Sequence, residues 1–268
     1  MLFNEDLAEF SRLVRTGEVK AATTPLKVGV DLGTANIVVA VVDKNNKPVA
    51  GMSMASKAVR DGVVVDFMGA AQKVEAMKKA LEIKLGVELS TAATAIPPGI
   101  IEGNIRCIAN CVERGGFTVK QVVDEPTAAA GLLGITEGAV VDIGGGTTGI
   151  SILHNKKVIY TADEPTGGTH MTLTLAGYHN ISFAAAEIMK LDKSKEADVF
   201  PIVKPVIEKM ASIVKAFIKD KEVHNIYVVG GACSFQEFEQ VFTNILHIPT
   251  VKPNDCLFVT PLGIAVQG

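Results

Sequence analysis

Neither sign of charge dominates this sequence, and it lacks the usual marks of a zinc site or a membrane span. Lysine and arginine number 26 against 29 aspartate and glutamate, a net charge of −3, so there is no broad basic field and no nucleic-acid partner is expected. The four cysteines, Cys107, Cys111, Cys233 and Cys256, include no Cys-x-x-Cys pair, and the five histidines are scattered without zinc spacing. Cys107 and Cys111 fall one helical turn apart and read as small buried thiols. No apolar run reaches membrane-spanning length and no signal-peptide pattern opens the chain, so a soluble cytoplasmic protein with no membrane partner is expected. What remains is an ordinary globular composition of 268 residues, 48% hydrophobic and 21% charged, enough for one large domain or two with separate cores.

The stretch Val140–Gly149, VVDIGGGTTG, carries most of the chemical information. A β-branched run ends at Asp142, Gly144, Gly145 and Gly146 follow, and Thr147 and Thr148 add hydroxyls before apolar residues resume: a strand, a tight turn and a returning strand. Glycines let bare N–H groups approach an anion, and an acidic residue beside a phosphate calls for a divalent cation between them. One such turn alone reads more readily as an ordinary glycine-rich hairpin. A second turn of the same plan changes that balance: KVGVDLGTANIVVAVVD, Lys27 to Asp43, places Asp31, Gly33 and Thr34 between two apolar strands.

Two Asp-x-Gly hairpins of this kind resemble the superfamily of actin, the Hsp70 ATPase domain and sugar kinases, and the resemblance covers nearly the whole chain. It implies an α/β, two-lobed actin-like ATPase fold, built from duplicated ribonuclease H-like mixed sheets with flanking helices around a nucleotide cleft. The cofactors it implies are ATP and Mg²⁺. Residues 1–25 then form an N-terminal helix and linker, 26–137 a first lobe completed by a C-terminal helix at 256–268, and 138–255 a second lobe. Gly33, Thr34, Gly144, Gly145, Gly146 and Thr147 line the phosphates, and Asp31 and Asp142 hold the cation directly or through water.

Glu125 follows a strand and precedes a helix. A carboxylate there can orient or deprotonate the water that attacks a γ-phosphate, or serve only as a helix N-cap. Glu125-Pro126-Thr127-Ala128-Ala129-Ala130 is similar to the first connecting motif of Hsp70 proteins and bacterial actins, which implies the water-positioning role. Gly230-Gly231, after an apolar strand, resembles the adenosine motif. Glu187 and Lys190 resemble the Ala-Glu-x-x-Lys of bacterial actins that contacts the nucleoside; without that resemblance they read as an exposed i,i+3 ion pair. Thr260-Pro261-Leu262-Gly263-Ile264-Ala265 resembles the second connecting motif, a hinge helix. Gly167-Gly168 and VRDGVVVDF, residues 59–67, also look like bacterial-actin segments.

Elsewhere, Phe3, Leu7, Phe10 and Val14 form the apolar stripe of a short helix, followed by a small, polar stretch from Thr16 to Pro25. That helix either docks on its own domain or engages a partner from a tether. Helices are expected with Val74, Met77, Leu81 and Leu85 inward, with Ile105, Ile108 and Val112 inward, and from Pro205 onward. Strands are expected at Asn225–Cys233, running into a helix from Ser234, and within Asp255–Gly268 ahead of a final helix. The two halves repeat one plan, which suggests an internal duplication.

No first-lobe residue clearly supplies the catalytic lysine of Hsp70 proteins, and the length leaves no room for their peptide-binding domain. ATP binding is therefore expected, with ATPase activity weak if present and no peptide-clamping cycle. Segments from VGVDLGT through DEPTAAAGLL and ADEPTGGTHMTLTLAG to TPLGIAVQG resemble a chaperone-like family of ethanolamine-utilisation operons. That resemblance implies an ATP-binding, chaperone-type protein that couples nucleotide-dependent lobe closure to a client protein of that pathway or to a microcompartment shell, a monomer or weak oligomer, with cytoplasmic or microcompartment location. The rival readings are an actin-like polymerising scaffold and a small-molecule kinase.

Overall fold

The computed structural model describes residues 2–21, 23–60 and 62–268, with side chains of the first helix from Glu5 onward. The Phe3 side chain and Asp61, both used in the sequence reading, lie outside the described residues. The chain opens with α1 (Leu2–Thr16), then runs through β1 (Lys27–Leu32), β2 (Asn36–Val42), β3 (Pro48–Ala55), the short pair β4 (Val59–Arg60) and β5 (Val63–Val64), α2 (Phe67–Leu85), β6 (Thr91–Ile96), α3 (Glu102–Arg114), β7 (Thr118–Asp124) and α4 (Glu125–Leu133). The second half holds β8 (Gly138–Ile143), β9 (Thr148–His154), β10 (Lys157–Glu164), α5 (Gly168–His179), α6 (Phe183–Leu191), α7 (Glu196–Phe217), β11 (Ile226–Val229), α8 (Phe238–Leu246), β12 (Thr250–Val251) and α9 (Val259–Gln267).

The two main sheets have one topology. In the first the strand order is β3-β2-β1-β6-β7 and in the second β10-β9-β8-β11-β12. In each, the first three strands pair antiparallel and the last two add in parallel. The repeat plan expected from sequence is thus present as repeated topology.

Strands covered on both faces lose the apolar-polar alternation and become continuously hydrophobic. In β2, Ile37, Val39 and Val41 face a core shared with Val74, Met77 and Leu81 of α2 and Ile108 and Val112 of α3. The alternate residues Val38, Ala40 and Val42 face a different core, because side chains along a strand point to opposite sides. That second core joins the two lobes. It gathers α1, α4 and α9 with Val140 of β8 and Val229 of β11, while the opposite faces of those strands pack on α5, α7 and α8.

The apolar face of α1 belongs to this inter-lobe layer. Leu7, Phe10 and Leu13 are buried, Phe10 meets Phe258 edge to face at 5.6 Å, and a side chain at Gly51 of β3 would strike the Phe10 ring. The Ser11 hydroxyl donates to Asp255 Oδ1 at 2.8 Å. Of the two roles open to this helix, docking on its own protein is the one found, with Leu7 and Phe10 of its stripe covered.

Three expectations about elements are corrected. The long helix starts at Glu196, upstream of Pro205, with Pro201 and Pro205 inside it; burial of Val199 and Val203 fixes its first turns despite two missing backbone donors. No helix starts at Ser234: after β11 the chain makes a 3₁₀ turn at Gly231–Cys233, and α8 begins at Phe238. Residues 256–258 form another 3₁₀ turn rather than a strand. Among the described residues no helix is long and apolar enough to cross a membrane.

Candidate functional site

Asp31 is the penultimate residue of β1 and Asp142 the penultimate residue of β8. These strands are the centres of their sheets, so the duplication places the two carboxylates at matching points, each just before a glycine turn. The turns meet: a Cβ on Gly145 would lie 3.2 Å from Ala35 Cβ and 3.3 Å from Thr34 Cβ.

Within the second turn Gly144 N–H donates to Thr147 O at 3.1 Å, closing the hairpin. The N–H groups of Gly33, Thr34, Gly145 and Gly146 make no backbone hydrogen bond among the described residues. Donors left over by a tight turn form an anion-binding concavity. Behind the second turn stands Gly167-Gly168: Gly168 N–H donates to Gly144 O at 2.9 Å and Thr169 N–H to Gly145 O at 2.8 Å. A Cβ at Gly167 would lie 2.7 Å from Gly144 O, so only glycine permits this stacking.

Glu125 opens α4. The N-cap is its neighbour Asp124, whose side chain accepts from Thr127 N–H at 3.0 Å and from the Ser151 hydroxyl at 3.2 Å. With that position filled, Glu125 is left facing the acidic centre. Burial pushes its carboxyl well above the ordinary range, and the charges of Asp142, Asp31, Asp163 and Asp124 push it further. Asp31 is pushed up to about 7 by burial and then by Asp142. Burial likewise lifts Asp142 to about 6, against the pull of a hydrogen bond from Thr260, whose hydroxyl donates to Asp142 Oδ2 at 2.5 Å.

All of these donors are hard oxygen ligands, and their mutual repulsion is what a divalent cation would relieve. Yet no three His, Cys, Asp or Glu side chains converge as a ready-made metal cage among the described residues. The hard oxygen donors of Asp31 and Asp142 would suit Mg²⁺, which can take further ligands from water and phosphate oxygens.

Gly230 has φ +93°, and a Cβ there would lie 2.5 Å from Asp142 Oδ1. It lets the end of β11 close on the end of β8. Gly231 begins the following turn, against Leu257. Glu187 and Lys190 do not form an isolated surface pair. Lys190 Nζ donates to Glu187 Oε2 at 2.8 Å, Thr172 Oγ1 at 2.7 Å and Gly168 O at 3.1 Å, which ties α6 to the glycines behind the second turn.

Three contributors had no clear mark in the sequence. Thr260 lies in a motif read as a hinge, but nothing local shows its hydroxyl reaching Asp142. Asp124 was hidden beside Glu125. Asp163 depends on hairpin register, as shown below.

Two equivalent lobes, facing glycine turns and a buried acidic centre define the two-lobed actin-like ATPase fold. A family model described as MreB/Mbl protein matches residues 46–186, a little over half of the chain, and one for type IV pilus assembly protein PilM matches residues 133–259. The chain is 44% identical to ethanolamine utilization protein EutJ of Salmonella typhimurium over 92% of its own length and 88% of that protein's. The crystal structure of EutJ from Carboxydothermus hydrogenoformans superposes with a TM-score of 0.96 and 46% identity, covering 100% of this chain and 99% of that one. The chain belongs to the EutJ family. MreB5 of Spiroplasma citri, solved bound to AMPPNP, shares the fold with a TM-score of 0.72 at 18% identity, over 90% of this chain and 95% of its own.

Proposed function

We propose that this protein binds ATP with Mg²⁺ between its lobes, and that nucleotide-dependent lobe closure acts, chaperone-like, on a client protein of ethanolamine utilisation. The observation that carries the reading is the convergence of four backbone N–H groups that make no backbone hydrogen bond, at Gly33, Thr34, Gly145 and Gly146, with carboxylates from both halves of the chain, Asp142 buried and Asp31 half-buried. An anion cradle beside repelling carboxylates is suited to polyphosphate plus a divalent cation. The AMPPNP and ADP complexes of MreB5 support nucleotide as the ligand on this fold.

In this reading the four N–H groups and the Thr34 and Thr147 hydroxyls hold phosphate oxygens. Asp31 and Asp142 would hold Mg²⁺ directly or through water, and the ion would supply charge neutralisation along the phosphates. Glu125 orients the attacking water and takes its proton. Gly230, Gly231, Glu187 and Lys190 border the nucleoside. Any turnover is weak, because among the described residues no first-lobe lysine pairs with Glu125. The protein works in the cytoplasm, in or beside a microcompartment, as a monomer or weak oligomer.

Isothermal titration calorimetry with Mg·ATP is the test. Wild type is expected to bind and Asp142→Ala to lose binding; equal affinity in the two would sink the reading. A pull-down comparing ADP and ATP states then identifies the client. The MreB/Mbl match supports a second reading, an assembling scaffold. ATP-dependent light scattering separates the two, since only a scaffold gives a rising signal.

A further inference from the structure

The register of the second sheet brings one more carboxylate to the proposed site. Asp142 of β8 pairs with Gly149 of β9, and Gly149 pairs with Asp163 of β10. Directly paired residues of antiparallel strands project to one face, so Asp142, Gly149 and Asp163 form a single row, with the middle position carrying no side chain. Two strand spacings separate the outer backbones by roughly 10 Å.

Asp163 fills the gap. Its Oδ1 lies 3.2 Å from where a Cβ of Gly149 would stand, so the carboxylate leans over the glycine toward the centre. From the first lobe, Pro98 closes over the same spot, its Cδ 3.3 Å from that Cβ position. Asp163 is also among the charges that act on Glu125. The matching row of the first lobe is Asp31, Val38 and Ser53, with no second acid. The duplication is broken at this point in the second lobe alone.

Resting on the ATP reading of the site, we infer that Asp163 is a water-positioning residue, working from the second lobe opposite Glu125 of the first. A water between them has two hydrogens to place. Glu125 takes one as a proton, and Asp163 accepts a hydrogen bond from the other, which turns the oxygen lone pair toward the γ-phosphorus. The new bond joins the water oxygen to phosphorus, the bond from phosphorus to the β,γ-bridging oxygen breaks, and ADP leaves with that electron pair. Gly149 leaves this position open, because a Cβ there would stand only 3.2 Å from Asp163 Oδ1 and would press the carboxylate aside.

The experiment measures Mg·ATP affinity by calorimetry and phosphate release in single turnover, on wild type, Asp163→Ala, and Asp163→Ala combined with Gly149→Asp. Asp163→Ala is expected to slow phosphate release roughly tenfold or more, with affinity held within about twofold. The double variant, which moves the carboxylate one strand inward, is expected to regain a substantial part of the rate. A merely structural role would lower affinity along with rate and would not be rescued. Undiminished turnover in Asp163→Ala, parallel loss of binding and rate, or a wild type that binds Mg·ATP without releasing phosphate would each overturn the inference. Absence of Mg·ATP binding in wild type would instead remove the reading of the site beneath it.

Discussion

At the scale of single residues, the site is a balance between carboxylates that repel one another and a ligand that would reconcile them. Asp31, Asp142 and Glu125 all hold their protons more tightly in the folded chain than an unfolded one would. Between the unfolded value near 4 and the folded value of about 7 for Asp31, the folded state therefore binds more protons. Stability from this source is present below that window and is lost as pH rises through it. In nucleotide-free, chelator-treated buffer, the melting temperature of Asp31→Asn is expected to fall less than that of wild type between pH 5 and pH 7.5. At pH 7.5 the variant is expected to be the more stable protein while failing to bind Mg·ATP. A thermal-melt series in both proteins checks this, and parallel pH profiles would contradict it. Asp124 and Glu125 separate in the same way: Asp124→Ala should cost roughly 1 kcal/mol of stability as a lost cap, whereas Glu125→Gln should leave stability near wild type and reduce phosphate release. Denaturant unfolding beside a turnover assay reads both.

At the scale of elements, α1 has the clearest consequence. Its buried residues Leu7, Phe10 and Leu13 pack toward β3, the turn at 256–258 and α9, with Phe10 fully buried. Phe10→Ala is expected to cost about 3–5 kcal/mol, the usual range for a large-to-small change in a close-packed core. A loss below about 1 kcal/mol in urea unfolding would show that the helix is not docked in solution. Removing the helix uncovers Phe258 and Leu262, so such a deletion should aggregate rather than merely lose an address. The α4–α9 crossing is tighter still: any Cβ at Gly263 would collide with the Ala128 carbonyl. Gly263→Val should destabilise by roughly 1–3 kcal/mol through overpacking. It should also weaken Mg·ATP binding from outside the turns, because α9 carries Thr260 to Asp142.

For the whole molecule, the arrangement is a pair of lobes joined by a shared core. A ligand that contacts both turns and is absent from the unfolded chain must stabilise the whole. Saturation at about a hundredfold over Kd corresponds to roughly 2.7 kcal/mol. Mg·ATP is therefore expected to raise the melting temperature, EDTA to cancel most of the rise, and Asp142→Ala to show none, as differential scanning fluorimetry can establish. A rise that survives EDTA in full would place the stabilising ligand elsewhere.

Much of this was legible in the chain itself. Hydrophobic strands, glycine turns after Asp31 and Asp142, and the helix stripes of α2 and α3 are local patterns, and local sterics and side-chain periodicity determine them without reference to distant residues. Helix beginnings were less legible where burial outweighs propensity, as at Glu196, where two prolines would argue for a later start. Only the tertiary structure decided that α1 is covered, that Asp124 caps and so releases Glu125, that Thr260 reaches Asp142, and that Asp163 leans over Gly149. The Asp124 cap is a local contact three residues long; the others join segments far apart in sequence or lie across a strand register. Pairing register and helix docking are set by the combined burial of many side chains, which no short stretch of sequence contains.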